Sequence, residues 1–183
     1  MLLWLSVLLC SGACWAGELL GAGGGWYFNS PPDNTNDITA IEASFGDAGL
    51  MKSIRLRFGS AWGPKYGVEG GRTQTFVLQP GEHVTSVYGS GKAFIRYLVF
   101  YTDQGRWFPF GKEEGNTFTA QGDLSGKVLT GVFGQHRLLG ITGIGFQWDY
   151  PLVQPAADDN NNNNNDNNNN NDDGDQEPST TGE

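Results

Sequence analysis

The sequence predicts an all-β protein, and three observations carry that prediction. Phe94 to Thr102 is almost continuously apolar, aromatic or β-branched, Asp103-Gln104-Gly105 is turn chemistry, and Arg106 to Phe110 is aromatic-rich again. That succession reads as a β-hairpin, whose Gly can take the positive φ of a tight turn. Turn signals then recur along the chain at Gly46-Asp47, Gly70-Gly71, Gln79-Pro80-Gly81, Gly89-Ser90-Gly91 and Gly122-Asp123. Finally, no stretch of the body sustains an apolar period of 3.6 residues. A lone hairpin is marginal in water, so the other short strands must supply more sheet, in a sandwich, barrel or prism of one domain.

Taken in order, Met1–Ala16 is an apolar run ending in small residues, with Cys14 and Ala16 placed at −3 and −1 of a cleavage site. It reads as a secretory signal peptide. The alternative, a membrane anchor, needs about 20 apolar residues, and this run is broken by Ser11-Gly12. Secretion into the extracellular space follows as an expectation, with no membrane insertion. Both cysteines, Cys10 and Cys14, fall in the leader, so a chain beginning at Gly17 has no disulfide and no thiolate metal site. Its stability must come from an apolar core. The body also lacks an Asn-x-Ser/Thr sequon.

Candidate strands are Trp26–Phe28, Ile38–Phe45, Met51–Phe58, Thr73–Leu78, Val84–Tyr88, Phe94–Thr102, Trp107–Phe110, Thr117–Ala120, Val128–Phe133 and Ile141–Trp148. Ser53 to Phe58 alternates with period two, which buries one face and places Arg55 and Arg57 on the other. From residue 155 to 183 the chain turns into an Asn/Asp-rich run with no core-forming side chains, and a disordered tail is expected because nothing offsets about 1–2 kcal/mol of backbone entropy per ordered residue. The charge divides accordingly: the 11 Lys and Arg lie between Lys52 and Arg137 against 12 acids in the body, while eight acids follow Asp158 inclusive. The acidic balance therefore belongs to the tail. That tail is either an inert spacer or a weak sink for cations such as polyamines or Ca²⁺, through Asp158, Asp159, Asp172, Asp173, Asp175 and Glu177.

Enzymatic chemistry finds little support, and no cofactor or nucleic-acid partner is expected. His83 and His136 sit near turns without a nucleophile elbow or paired-ligand spacing. Glu113-Glu114 reads as a solvated turn, since neighbouring residues on a strand face opposite ways. The glycine run Gly21-Ala22-Gly23-Gly24-Gly25 is no phosphate loop, because neither Lys-Ser/Thr nor a helix follows. It offers either a flexible lead-in or backbone N–H groups that a ligand oxygen can approach.

GGGWYF, VEGGRTQTFVLQPGEHVTSVYG, LVFYTDQGRWFPFGK and LLGITGIGFQWDYP resemble the secreted zymogen granule protein 16 group, within the jacalin-related lectins, and most resemble its homolog B branch. The acidic tail on such a body is similar to that of the prostatic spermine-binding protein. The resemblance spans Gly17 to about Pro151 and implies a jacalin-like β-prism of three antiparallel Greek-key sheets over residues 17–154. It implies a sugar site at one end, built from a Gly-rich loop (Gly23, Gly24, Gly25), a recognition loop from Ser90 to Phe94 with contacts from Lys92 and Phe94, and a binding loop of pattern Gly-x-x-x-Asp that here includes Leu139. In that alignment Leu138 stands for the Gly and Thr142 for the Asp. Loss of a charge-assisted acceptor is worth about 1.5–3 kcal/mol, so mannose binding is expected to be weak or absent.

Glycans are thus the expected partners. Glycosaminoglycans enter through members of the group that bind them, with Arg55, Arg57, Lys65 and Arg72 as a candidate patch; scattered surface charge is the alternative. Polyamines acting through the tail, or a cell-surface receptor suggested by the homolog B resemblance, are the other expectations.

Overall fold

The computed structural model describes residues 17–123 and 125–152. The expected signal peptide, the tail from 155 onward and the Gln154 boundary lie outside them. Every described element is a strand: β1 (Leu20–Gly21), β2 (Trp26–Ser30), β3 (Ile38–Phe45), β4 (Met51–Phe58), β5 (Ala61–Trp62), β6 (Tyr66–Gly67), β7 (Arg72–Val77), β8 (Val84–Gly91), β9 (Ile95–Thr102), β10 (Trp107–Gly111), β11 (Asn116–Gln121), β12 (Val128–Arg137) and β13 (Gly140–Asp149).

These strands form three antiparallel sheets, ordered β1-β13-β12-β2, β10-β9-β8-β11 and β5-β4-β3-β7, with β6 also on β4. In the second sheet the fourth strand, β11, returns to lie beside the first, β8, which is the Greek-key order. The third sheet repeats it, with β7 beside β3. The first sheet has the same order if the chain is imagined closed from β13 to β1, so both ends of the body meet in one sheet. This is the jacalin-like β-prism that the resemblance implied.

The hairpin that anchored the prediction is β9–β10, registered from Trp107 opposite Tyr101 to Gly111 opposite Tyr97. Gly105 takes φ 73° at the turn, as a left-handed position requires. Pro109 is tolerated because β10 is an edge strand and needs no second ladder. Beneath the turn, Glu82 is 2% exposed and accepts hydrogen bonds from the Gln79 N–H and the Thr102 hydroxyl, each at 2.7 Å, and from Arg106. Burial pushes the Glu82 carboxyl up, but these bonds and the Arg106 charge outweigh it and hold it below its ordinary value.

Inward side chains of all three sheets merge into one apolar cluster, including Ile41, Ile54 and Leu56, Val87, Leu98 and Phe100, and Val132, Ile144 and Phe146. Each seam between sheets is closed by an aromatic pair: Phe28 on Tyr66 at 5.4 Å, Phe76 on Phe108 at 5.1 Å, and Phe100 edge-on to Phe146 at 6.3 Å. Such pairs add about 0.5–1.5 kcal/mol each beyond the area they bury. The strands absent from the sequence reading, β1, β5 and β6, have two residues each, too short to carry a periodic signal.

Candidate functional site

The first sheet carries the candidate site at one end. Its β12–β13 hairpin turns through Leu138-Leu139, with Arg137 opposite Gly140. On the other side of β12 lies edge strand β2, with Trp26 opposite His136. Apolar side chains on a tight turn and at the start of an edge strand have no sheet to cover them. Trp26 is accordingly 58% exposed, Leu138 78% and Leu139 58%. With Phe94, the segment before β9, and with Gly25 and Arg137, they line an open concavity of about 550 Å³. None of those lining residues carries a carboxylate.

Of the residues singled out from sequence, Gly25, Phe94 and Leu139 come together around this concavity. Gly23 and Gly24 stand beside it with their donors already engaged: the Gly23 N–H bonds the Thr142 carbonyl at 3.0 Å and the Gly24 N–H bonds Gln135 Oε1 at 2.5 Å. The expectation that these amides are open to a ligand oxygen is therefore corrected. The glycines serve another side chain. A Cβ on Gly24 would stand 2.7 Å from Arg137 Nη2, and one on Gly25 would meet the His136 carbonyl oxygen first and then Arg137 Cγ at 2.9 Å. The guanidinium thus lies in space that only glycine leaves.

Thr142, which the alignment puts in the place of the binding-loop Asp, is not open to a ligand. It is 1% exposed, and its one hydroxyl proton is shared between the Gly24 carbonyl at 2.7 Å and the Gln135 carbonyl at 3.1 Å. Thr142 is the extra residue of a β13 bulge, between Ile141 opposite His136 and Gly143 opposite Gln135, and there it ties the Gly-rich loop to β12. Lys92 also turns away from the concavity and pairs with Glu114 at 3.0 Å. Arg96 meets the same carboxylate at 2.9 Å, and the Lys92 hydrogen bond with these two charges holds Glu114 below its ordinary pKa. The Glu113-Glu114 turn is therefore partnered as well as solvated, Glu113 accepting the Tyr88 hydroxyl at 2.9 Å.

Of the four cations of the suggested patch, Arg55 and Arg57 are firmly held, while Lys65 and Arg72 make only long, exposed contacts. Arg55 and Arg57 share one face of β4 and flank Trp62, at 4.5 and 5.7 Å from its ring. Arg55 makes a two-pronged bond to Glu42 at 2.7 and 2.8 Å, and Arg57 donates to Thr39. Lys65 lies 3.8 Å from Glu69, and Arg72 lies 3.9 Å from Asp47. His83 is held between carboxylates, with Nδ1 3.1 Å from Asp103 and Nε2 3.4 Å from Asp37. Trp26 and Arg137 were not anticipated from sequence, and Leu138 entered only as the stand-in for the binding loop's Gly. Their signal was an aromatic directly after a Gly run and an apolar dipeptide too short to be anything but a turn.

Residues 17–147 match the Jacalin-like lectin domain. The chain belongs to that family. Among solved structures, this jacalin-like protein is similar to a prostate-specific WGA16 glycoprotein lectin, at 46% identity and TM-score 0.69, over 74% of this chain and 99% of that one. It is also similar to a mannose-specific jacalin-related lectin from Morus nigra in complex with mannose, at 25% identity and TM-score 0.59, over 72% and 92% of the two chains. The human zymogen granule membrane protein 16 is 32% identical over 158 residues, 80% of this chain and 93% of that protein. The rat prostatic spermine-binding protein is 35% identical over 150 residues, 81% of this chain, and the jacalin-like chain spans only about half (53%) of that relative's length.

Proposed function

We propose that this protein is a secreted, non-enzymatic glycan-binding protein of secretory granules, and that its ligand site is the concavity walled by Trp26, Phe94, Leu138 and Leu139. The observation that carries the reading is convergence: the Gly-rich loop, the segment before β9 and the β12–β13 turn meet at one open, apolar concavity. Exposed aromatic faces beside a polar group suit the C–H faces of a sugar ring. The relative crystallised with mannose supports the carbohydrate class, and the zymogen granule relatives support the compartment.

Neutral mannose is bound weakly in this reading. With no carboxylate on the lining and Thr142 Oγ1 turned inward, no charged acceptor clamps adjacent hydroxyls, a deficit of about 1.5–3 kcal/mol. Glycan-array binding of the purified protein beside Trp26→Ala tests the site. The variant is expected to lose most retention; undiminished binding would move the site elsewhere.

A polyamine-binding reading is favoured separately by the similarity to the prostatic spermine-binding protein. Calorimetry with spermine on the full chain and on a chain ending at Gln154 decides it, since binding that vanishes with residues 155–183 belongs to the acidic tail.

A further inference from the structure

Arg137 is the polar side chain of the concavity, and among the described residues it has no anionic partner. Its neighbours explain why it stays there. Gly24 and Gly25 leave room for the guanidinium and its stem, and the Leu138-Leu139 turn holds the backbone on the other side. A second cation stands at the same turn: Lys52 from β4 donates its ammonium to the Leu139 carbonyl at 2.9 Å and, among the described residues, also pairs with no acid. Elsewhere on the body cations are largely committed, as with Arg55 to Glu42, Arg106 to Glu82, and Lys92 and Arg96 to Glu114. Two uncommitted positive charges thus flank one apolar wall, where the family resemblance leads one to expect a carboxylate.

Resting on the reading that this concavity binds glycans, we propose that it selects anionic ones: a sugar residue bearing a carboxylate or a sulfate, its C–H face against Trp26 and its anion on Arg137, with Lys52 adding to the field. Low-dielectric walls strengthen an ion contact relative to open water, and a planar guanidinium offers paired donors to either anion. A carboxylate at Thr142, where the resemblance puts the Asp, would have opposed this field. The departure from the Gly-x-x-x-Asp pattern therefore changes the sign of the site as well as removing an acceptor.

The test is a glycan array carrying matched neutral, sialylated, uronate-bearing and sulfated glycans, probed with the full chain and with Arg137→Gln, Lys52→Gln and Trp26→Ala at low and physiological salt. The acidic members are expected to bind about tenfold tighter than their neutral counterparts at low salt. Salt should narrow that preference, Arg137→Gln should abolish it, and Lys52→Gln should reduce it; the sialylated, uronate and sulfated arms separate carboxylate from sulfate. An acidic preference that survives Arg137→Gln overturns the inference and points to another basic surface, such as the Arg55–Arg57 face. Neutral glycans bound as well as acidic ones, with loss in Trp26→Ala, overturn the charge selection and leave the glycan site standing. Binding of no glycan by the wild type overturns the glycan reading itself. Thermal melts of each variant confirm that the folded protein is being compared.

Discussion

Replacing Thr142 by Asp restores on paper the residue that the family resemblance implies at this position, and the structure predicts that it will harm the protein instead. The one Thr142 hydroxyl proton is shared between two carbonyl acceptors, Gly24 O at 2.7 Å and Gln135 O at 3.1 Å, at a position 1% exposed. An ionised Asp has nothing to donate. It loses that one donor, worth about 1 kcal/mol, and sets a charge against two acceptors in a site closed to water. An uncompensated buried charge costs about 3–5 kcal/mol when a pair is broken, and the same scale applies here. Against a total stability of about 5–15 kcal/mol that is a large loss.

The pH dependence has a definite sign. Protonated Asp could donate to the Gly24 carbonyl, so its folded pKa is raised above the unfolded value of about 3.9. The relative stability of the variant is then greatest below that unfolded pKa and is lost as pH rises through the folded one. Urea unfolding of wild type and Thr142→Asp at pH 4 and pH 7 measures this directly, with mannose titration alongside. A variant as stable as wild type at pH 7, or one that gains mannose affinity, would refute the inward-facing hydroxyl.

Glu82 gives the opposite sign: its carboxyl is held below the ordinary 4.5, so its contribution is present above about pH 4.5 and fades as pH falls through the folded value. Glu82→Gln should cost about 1–3 kcal/mol at pH 7 and flatten the acid limb of a stability-versus-pH curve. Phe100→Ala, which removes the edge-on contacts to Phe110 and Phe146, should cost about 3–5 kcal/mol by denaturant melt. Gly24→Ala meets both φ +84° and the Arg137 guanidinium; about 1–2 kcal/mol of strain is expected, together with loss of acidic-glycan retention on the array.

Ten strands were legible because each announces itself locally. Ile54 and Leu56 alternate with Arg55 and Arg57, and the Phe94–Phe110 stretch names both its strands and its turn. β1, β5 and β6 were not, because two residues pair only when a finished neighbour is already there. The site was half legible. Gly25, Phe94 and Leu139 could be placed from the family pattern, but the burial of Thr142 depends on its being the extra residue of a bulge in β13, between Ile141 opposite His136 and Gly143 opposite Gln135. Likewise the Gly run signals a close approach without saying of what. That it is Arg137, from more than a hundred residues away in sequence, follows only from β2 lying beside β12.

The central claim, that ligand binds in the concavity over Trp26, is tested most directly by backbone and indole NMR shifts during titration with a glycan retained on the array. Shifts concentrated at Gly25, the Trp26 indole, Phe94 and Arg137 to Leu139 are expected. Shifts centred on Arg55, Arg57 and Trp62, with the Trp26 indole unmoved, would contradict it.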